Sequence, residues 1–319
     1  MRKIAVMTSG GDAPGMNAAL RAVVRTGISK GMEVYGIRHG YEGLLDGEVE
    51  KLEWRSVGEI LHRGGTILRT ARSKRFFEEE WQDKAVKILE VFGIEGLVVI
   101  GGDGSFRGGL ELAKRGITVM GVPGTIDNDL GYTDFTIGFD TAVNTVLSLI
   151  SNIRDTSSSH ERATIIEVMG RRCGDIALYA GLAGGADGIL IPEIELDVNH
   201  LCTEILRGHN AGKGHCLILK AEGVPVDTEE LARMLEEITG WETRAVVPGH
   251  IQRGGSPTQA DRVLASLTAA KAVQLLYDDA DSKAVGVSQG EVFAVDLAEA
   301  LEMKRDYDTR MVELALTLC

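Results

Sequence analysis

The chain has 319 residues, 44% of them hydrophobic and 25% charged, an ordinary composition for a globular protein with room for about two domains. Lysine and arginine number 34 against 47 aspartates and glutamates, and the net charge of −13 argues against nucleic acid or an anionic membrane surface as a partner. The same field repels phosphate, so a phosphate site must rest on local arginines or backbone N–H groups. Ile4–Met7 is the first of several short Val/Ile-rich runs that suit buried strands. It empties into Thr8–Asn17, TSGGDAPGMN, a glycine turn that opens a helix predicted over Asn17–Ser29. Free N–H groups at that helix start let Gly10 and Gly11 cradle a phosphate, although the turn is neither a P-loop nor a GxGxxG fingerprint. A plain strand–helix turn fits equally well. On this helix Arg21 and Arg25 stand one turn apart, opposite the apolar face of Leu20, Val23, Val24 and Ile28, with no acid three or four residues away. They repel each other by about a few tenths of a kcal/mol, which a bound anion would relieve; a solvated face is the alternative.

Val34–Ile37 reads as the second strand, followed by the basic stretch Arg72-Ser73-Lys74-Arg75 and a helix over Asp83–Phe92. Leu97–Ile100 then runs straight into GGDGS, Gly101–Ser105, and Ile117–Val122 into PGTIDND, Pro123–Asp129. Glycine turns of the GGDGS kind also occur in NAD kinases and lipid kinases. PGTIDND is more specific. If extended, it puts Thr125, Asp127 and Asp129 on one face. Three carboxylates, Asp103, Asp127 and Asp129, beside a phosphate cradle call for a cation among them, which points to metal-assisted phosphoryl transfer. A helix over Phe139–Ile153 follows, then strands at Thr164–Met169, Ile189–Ile191, Leu217–Lys220 and Ala245–Val247, with a helix over Glu229–Glu237. Arg162, Arg171, Arg172, Arg244 and Arg253 lie beside predicted strands or glycine turns, and Gly249–Pro257, GHIQRGGSP, joins His250 to Arg253 in a combination suited to a phosphate monoester.

Strand–helix alternation throughout predicts an α/β fold with mostly parallel sheets and ligands at strand carboxyl ends. The 40 glycines exceed the usual share of about 7% and fall mostly in pairs after apolar runs, as turns do. Cys173, Cys202, Cys216 and Cys319 lack metal-ligand spacing and read as reduced thiols. With too little apolar length at the N-terminus for a signal peptide, and no membrane-length run, the expected location is cytoplasmic. The seven histidines, His160 and His215 among them, form no metal-like cluster, and Trp54, Trp81 and Trp241 are too sparse for a stacking series.

TSGGDAPGMN, GGDGS, PGTIDND, IRDTSSSHER, EVMGRRCGD, KAEG and GHIQRGGSP, in this order between residues 8 and 257, resemble the bacterial ATP-dependent 6-phosphofructokinases. The resemblance implies two Rossmann-like three-layer α/β/α domains: 1–138 plus 251–300 for ATP, and 139–250 plus 301–319 for fructose 6-phosphate. It implies transfer of the ATP γ-phosphoryl group to the sugar 1-hydroxyl, with Asp127 as base. Asp103, helped by Asp129, would serve Mg²⁺. Gly11, Thr125 and Arg171 would stabilise the moving phosphoryl group, and Arg72 would bridge the substrates' charge. ATP would lie along Gly11, Tyr41, Arg72, Ser73, Gly102, Asp103, Gly104 and Ser105. Met169, Gly170 and Glu222, with Thr125, Asp127, Asp129 and Arg171, would hold the sugar. His250 and Arg253 would bind its 6-phosphate with Arg162 and Arg244 from a neighbouring subunit of a homotetramer. ADP and phosphoenolpyruvate would act at a second site to which Arg21, Arg25, Arg154, Asp187, Lys213 and His215 correspond. Pyrophosphate-using relatives carry aspartate and lysine where this chain has Gly104 and Gly124, so two glycines imply room for ATP. The departures are Asp187 for a glutamate metal ligand, Ala211 for a basic residue, and Phe77 for a second basic residue near Arg72, with Lys74 and Arg75 close by. They imply weakened or altered effector control.

Overall fold

The computed structural model describes residues 1–318; Cys319 lies outside them. The chain divides into two compact units, Met1–Thr141 with Arg253–Arg305, and Ala142–Gln252 with Asp306–Cys319.

Unit 1 begins with β1 (Lys3–Thr8), α1 (Met16–Ser29), β2 (Glu33–Ile37), α2 (Gly40–Asp46) and β3 (Val49–Leu52). It continues through α3 (Glu79–Phe92), β4 (Gly96–Gly101), α4 (Asp103–Ala113) and β5 (Thr118–Pro123), after which α5 (Phe139–Ser159) leads into unit 2. Unit 2 comprises β6 (Ala163–Val168), α6 (Asp175–Gly184), β7 (Gly188–Leu190), α7 (Val198–Asn210), β8 (Cys216–Ala221), α8 (Thr228–Thr239) and β9 (Thr243–Val246). The chain returns to unit 1 with α9 (Gln259–Tyr277), β10 (Lys283–Ser288), β11 (Glu291–Asp296) and α10 (Leu297–Glu302), and ends in α11 (Thr309–Leu318) of unit 2.

The unit 1 sheet has the order β11-β10-β5-β4-β1-β2-β3, parallel except for its two edge strands, β11 and β3. Its central strands are buried on both faces, which is why they read as continuous apolar runs. Alternation divides them: Ala5, Met7, Leu97 and Val99 join one core with Tyr41 of α2, Leu89 of α3, Phe106 of α4 and Leu297 of α10. The helices α1 and α9 pack together on the other face. Because β1 has β2 on one side and β4 on the other, the chain reverses direction across the sheet there, and a crevice opens at the carboxyl ends of β1 and β4.

The sheet of unit 2 is wholly parallel in the order β7-β8-β6-β9. Ile165 and Ile218 pack with Leu201 and Ile205 of α7 and Leu231 and Leu235 of α8, while α6 lies against β7 and β8. No helix among the described residues is long and apolar enough to cross a membrane. Cys173, Cys202 and Cys216 are buried, and burial pushes the Cys216 thiol up to about 12, so it stays protonated.

Candidate active site

In unit 1 the three glycine turns lie side by side because β1, β4 and β5 are sheet neighbours. Ser9 N–H donates to the Ile100 carbonyl at 3.0 Å, and Gly124 N–H to the Gly101 carbonyl at 3.0 Å, tying each exit to the next. A side chain at Gly101 would strike the Ser9 carbonyl and the Ser105 hydroxyl within 2.7 Å, so only glycine lets these turns approach. Thr70 closes the third side by donating its hydroxyl to the Gly10 carbonyl at 2.7 Å.

Asp103 opens α4, where its carboxylate favours the helix dipole and accepts from Arg107 Nε at 3.0 Å. Gly104, one residue on, faces open space. Gly124 does not: a Cβ there would lie 3.0 Å from Ile100 Cγ2 and 3.3 Å from both Gly101 N and Met16 Cε. The pair read together as room for a nucleotide thus separates. Gly104 leaves room outside the protein, whereas a side chain at Gly124 would press on the packing beneath the turn.

PGTIDND is not the extended segment its alternation suggests. It bends at Ile126–Asp127, where Asp127 N–H donates to Thr125 Oγ1 at 3.2 Å, and Asn128 takes a left-handed φ of 52°. The shared face for Thr125, Asp127 and Asp129 therefore does not exist as alternation predicts. Asn128, fully buried, holds the bend instead: its Oδ1 accepts from Thr136 N at 3.0 Å, and Thr136 donates its hydroxyl to the Thr125 carbonyl at 2.6 Å. Asp127 is 1% exposed on this braced turn. The expected cluster of three carboxylates also fails to form; among the described residues no three acids or other ligands are grouped to hold a metal. Arg107, which the sequence reading passed over, supplies the local cation beside Asp103.

Tyr41 is 6% exposed, and its ring packs on Phe76 at 4.2 Å while its hydroxyl donates to the Ser105 carbonyl at 2.5 Å. Its hydroxyl thereby ties α2 to the first turn of α4. Arg72 is exposed, but Arg75 is committed elsewhere, donating to Glu42 at 2.9 Å and Asp46 at 2.9 Å. The Ser73 hydroxyl and the Arg75 guanidinium hold the Glu42 carboxyl below its ordinary range. Arg75 is therefore not a substitute for the basic residue missing at Phe77, which is 87% exposed. Arg253 lies against the first turn, its Nη1 donating to the Asp12 carbonyl at 3.4 Å beside Gly11.

In unit 2 the exit of β6 makes a left-handed step, φ 136° at Gly170 and 55° at Arg171. Glu222, at the exit of β8, holds it by accepting Gly170 N–H at 3.2 Å and Arg171 N–H at 2.7 Å on one oxygen. Gln252, buried and unremarked in the sequence, accepts Met169 N–H at 3.0 Å and donates to the Gly249 carbonyl at 3.1 Å. It draws the GHIQR turn, with exposed His250, to the same end of the sheet. Arg162 and Arg244 are at the other end. Arg162 precedes β6, Arg244 pairs with Thr164 near its start, and both face Glu242, at 3.9 Å and 2.7 Å. Six residues of β6, about 20 Å of strand, separate Arg162 from Met169, and Arg244 lies level with Thr164, five residues before Met169.

Arg154, Asp187, Lys213 and His215 gather at that same amino end. Arg154 donates to the Gly184 and Gly185 carbonyls, the latter at 2.9 Å. Asp187 accepts Lys213 on one oxygen and Leu217 N–H at 2.7 Å on the other, so both oxygens are engaged. In unit 1, burial and the neighbouring Arg25 lower the Arg21 pKa, while Arg25 lies over the Trp54 ring at 4.8 Å.

These features define a doubly wound α/β protein with adjoining glycine turns at strand carboxyl ends. Residues 3–276 match the phosphofructokinase family. The chain is 58% identical over 318 residues to an ATP-dependent 6-phosphofructokinase of Clostridium botulinum (strain Loch Maree / Type A3), covering 100% of this chain and 99% of the relative. The same identity and coverage hold for one of Clostridium tetani (strain Massachusetts / E88). Phosphofructokinase from Saccharomyces cerevisiae superimposes with a TM-score of 0.93 at 35% identity over 100% of this chain; the chain spans 50% of the yeast chain. The chain belongs to the phosphofructokinase family.

Proposed function

We propose that the protein transfers the γ-phosphoryl group of ATP to the 1-hydroxyl of fructose 6-phosphate, giving fructose 1,6-bisphosphate and ADP in the committed step of glycolysis. The carrying observation is the row of adjoining glycine turns on β1, β4 and β5, with buried Asp127 on the third. Unit 1 is the nucleotide-binding part and unit 2 the phosphosugar-binding part. Asp127 takes the hydroxyl proton as the sugar oxygen bonds to phosphorus and the bond to the ADP oxygen breaks. Backbone N–H groups at Gly11, the Thr125 hydroxyl and the Arg171 guanidinium stabilise charge on the moving group. Arg72 spans the two substrates. Open space at Gly104 supports a nucleotide as donor.

Asp103 and Asp129 offer the hard oxygen ligands Mg²⁺ prefers, and two carboxylates suit a metal that keeps waters and arrives with its phosphates. That ion, when bound, neutralises phosphate charge. The separation of Arg162 and Arg244 from Met169 and Glu222 supports their service to a neighbouring subunit's site, and so a homotetramer. The protein works in the cytoplasm. ADP and phosphoenolpyruvate bind at the second site, but weakly, because Asp187 must release Lys213 before it can take a metal. A coupled assay comparing ATP with pyrophosphate tests the reaction, turnover with pyrophosphate alone refuting it. Repeating it with ADP should give activation below about twofold; sigmoidal kinetics with full ADP activation would refute weakened control.

A further inference from the structure

Lys220 on β8 is 1% exposed, and its ammonium donates to Glu167 Oε2 at 3.0 Å, with a longer contact of 3.5 Å to the Ala221 carbonyl. Glu167 sits directly opposite it on β6. The same Glu167 oxygen accepts the hydroxyl of Thr228, the buried first residue of α8. The end of β8 and the start of α8 therefore converge on one carboxylate oxygen, which pins the intervening segment 221–227 to β6 at both ends. That segment carries Glu222. Glu222 reaches back to the exit of β6, where one oxygen holds the N–H groups of Gly170 and Arg171. The clasp is reciprocal: a β6 side chain fixes the β8 exit, and a β8-exit side chain fixes the β6 exit.

A period of two puts Glu167 and Met169 on one face of their strand's course, as it does Lys220 and Glu222. The pair, its lysine fully buried and its glutamate partly buried, thus lies one step beneath the residues assigned to the sugar. As a source of stability it is a poor choice, since desolvating an ammonium and a carboxylate offsets most of their attraction and an apolar pair of like volume does as well. Hydrogen bonds, unlike apolar contacts, fix direction.

We propose that Glu167, Lys220 and Thr228 are positioning residues for the phosphosugar, acting through Glu222 and the Met169–Arg171 turn without touching substrate. The proposal rests on the assignment of those residues to fructose 6-phosphate. Thr228→Val keeps the volume and removes the hydroxyl, and Thr228→Ser restores it. The paired change Glu167→Leu with Lys220→Met removes both charges together. Steady-state kinetics on the full-length protein should show the KM for fructose 6-phosphate raised about fivefold in Thr228→Val and about tenfold or more in the paired variant. The KM for ATP should stay within about twofold, Thr228→Ser should match the wild type, and the paired variant should melt within a few degrees of it. An unmoved sugar KM in Thr228→Val, or a parallel rise in both KM values, overturns the proposal; Thr228→Val and Thr228→Ser decide it even if the paired variant fails to fold. Wild-type protein that does not phosphorylate fructose 6-phosphate would sink the functional reading, and this proposal with it. An active wild type with unmoved variants sinks the proposal alone.

Discussion

Gly104→Asp separates room for a nucleotide from stability of the fold. Gly104 is exposed in the first turn of α4, and an added side chain meets nothing within 4 Å. Aspartate is a better helix residue than glycine by a few tenths of a kcal/mol, and a carboxylate in the first turn gains a similar amount from the helix dipole. The variant should therefore be as stable as the parent, or more stable by about 0.5–1 kcal/mol. Its charge faces the space assigned to the nucleotide phosphates. At about 6 Å and an effective dielectric near 20, one like-charge pair costs about 3 kcal/mol. That corresponds to about a hundredfold rise in the KM for ATP. Thermal melts and a coupled assay at saturating sugar phosphate read the two effects separately. An unchanged melting temperature with a KM for ATP within twofold would refute the steric and electrostatic account. Gly124→Ala should behave oppositely: its Cβ would press on Ile100 at 3.0 Å, and overpacking there should cost about 1–3 kcal/mol of stability.

Arg75→Ala should leave the KM for ATP within about twofold, because its guanidinium is occupied by Glu42 and Asp46, whereas Arg72→Ala should raise it at least tenfold; equal effects in the same assay would contradict this division. Asp261, 1% exposed, accepts N–H from Gly138 and Thr141, both at 2.8 Å, and burial still pushes its carboxyl up to about 6. Its folded pKa lies above the unfolded value, so the native state holds the proton more tightly. Its contribution to stability should fall as pH rises from about 4 to about 6 and stay flat above. Denaturant melts of the wild type and Asp261→Asn across that range should differ in slope, and parallel profiles would remove Asp261 as the cause.

The buried strands were legible because parallel sheets covered on both faces leave Val and Ile runs, and eight such runs fall on β1, β2 and β4–β9. The helix α4 was not, because GGDGSFRGG dilutes its apolar spacing with glycine while its own start caps the phosphate turn. The helix α9 was hidden by alanines that pack closely, Ala265, Ala269 and Ala272 among them. Site residues adjacent to a turn could be read from motifs, which name Asp127 and Glu222 directly. Their partners come from distant positions and needed the register: Glu242 between Arg162 and Arg244, Glu167 opposite Lys220, and Asp261 at the start of α5. The bend at Asp127 is a local failure of a different kind. Alternation assumes an extended chain, and the Thr125 hydroxyl offers the backbone another bond.

The central claim is that Asp127 removes the sugar's hydroxyl proton. Asp127→Asn keeps the volume of a side chain that is 1% exposed, so a variant with an unchanged melt isolates the chemistry. The turnover number for ATP and fructose 6-phosphate should fall about 10²–10⁴-fold with both KM values near those of the parent. A fall of less than about tenfold would contradict the assignment, whatever the fold surrounding it.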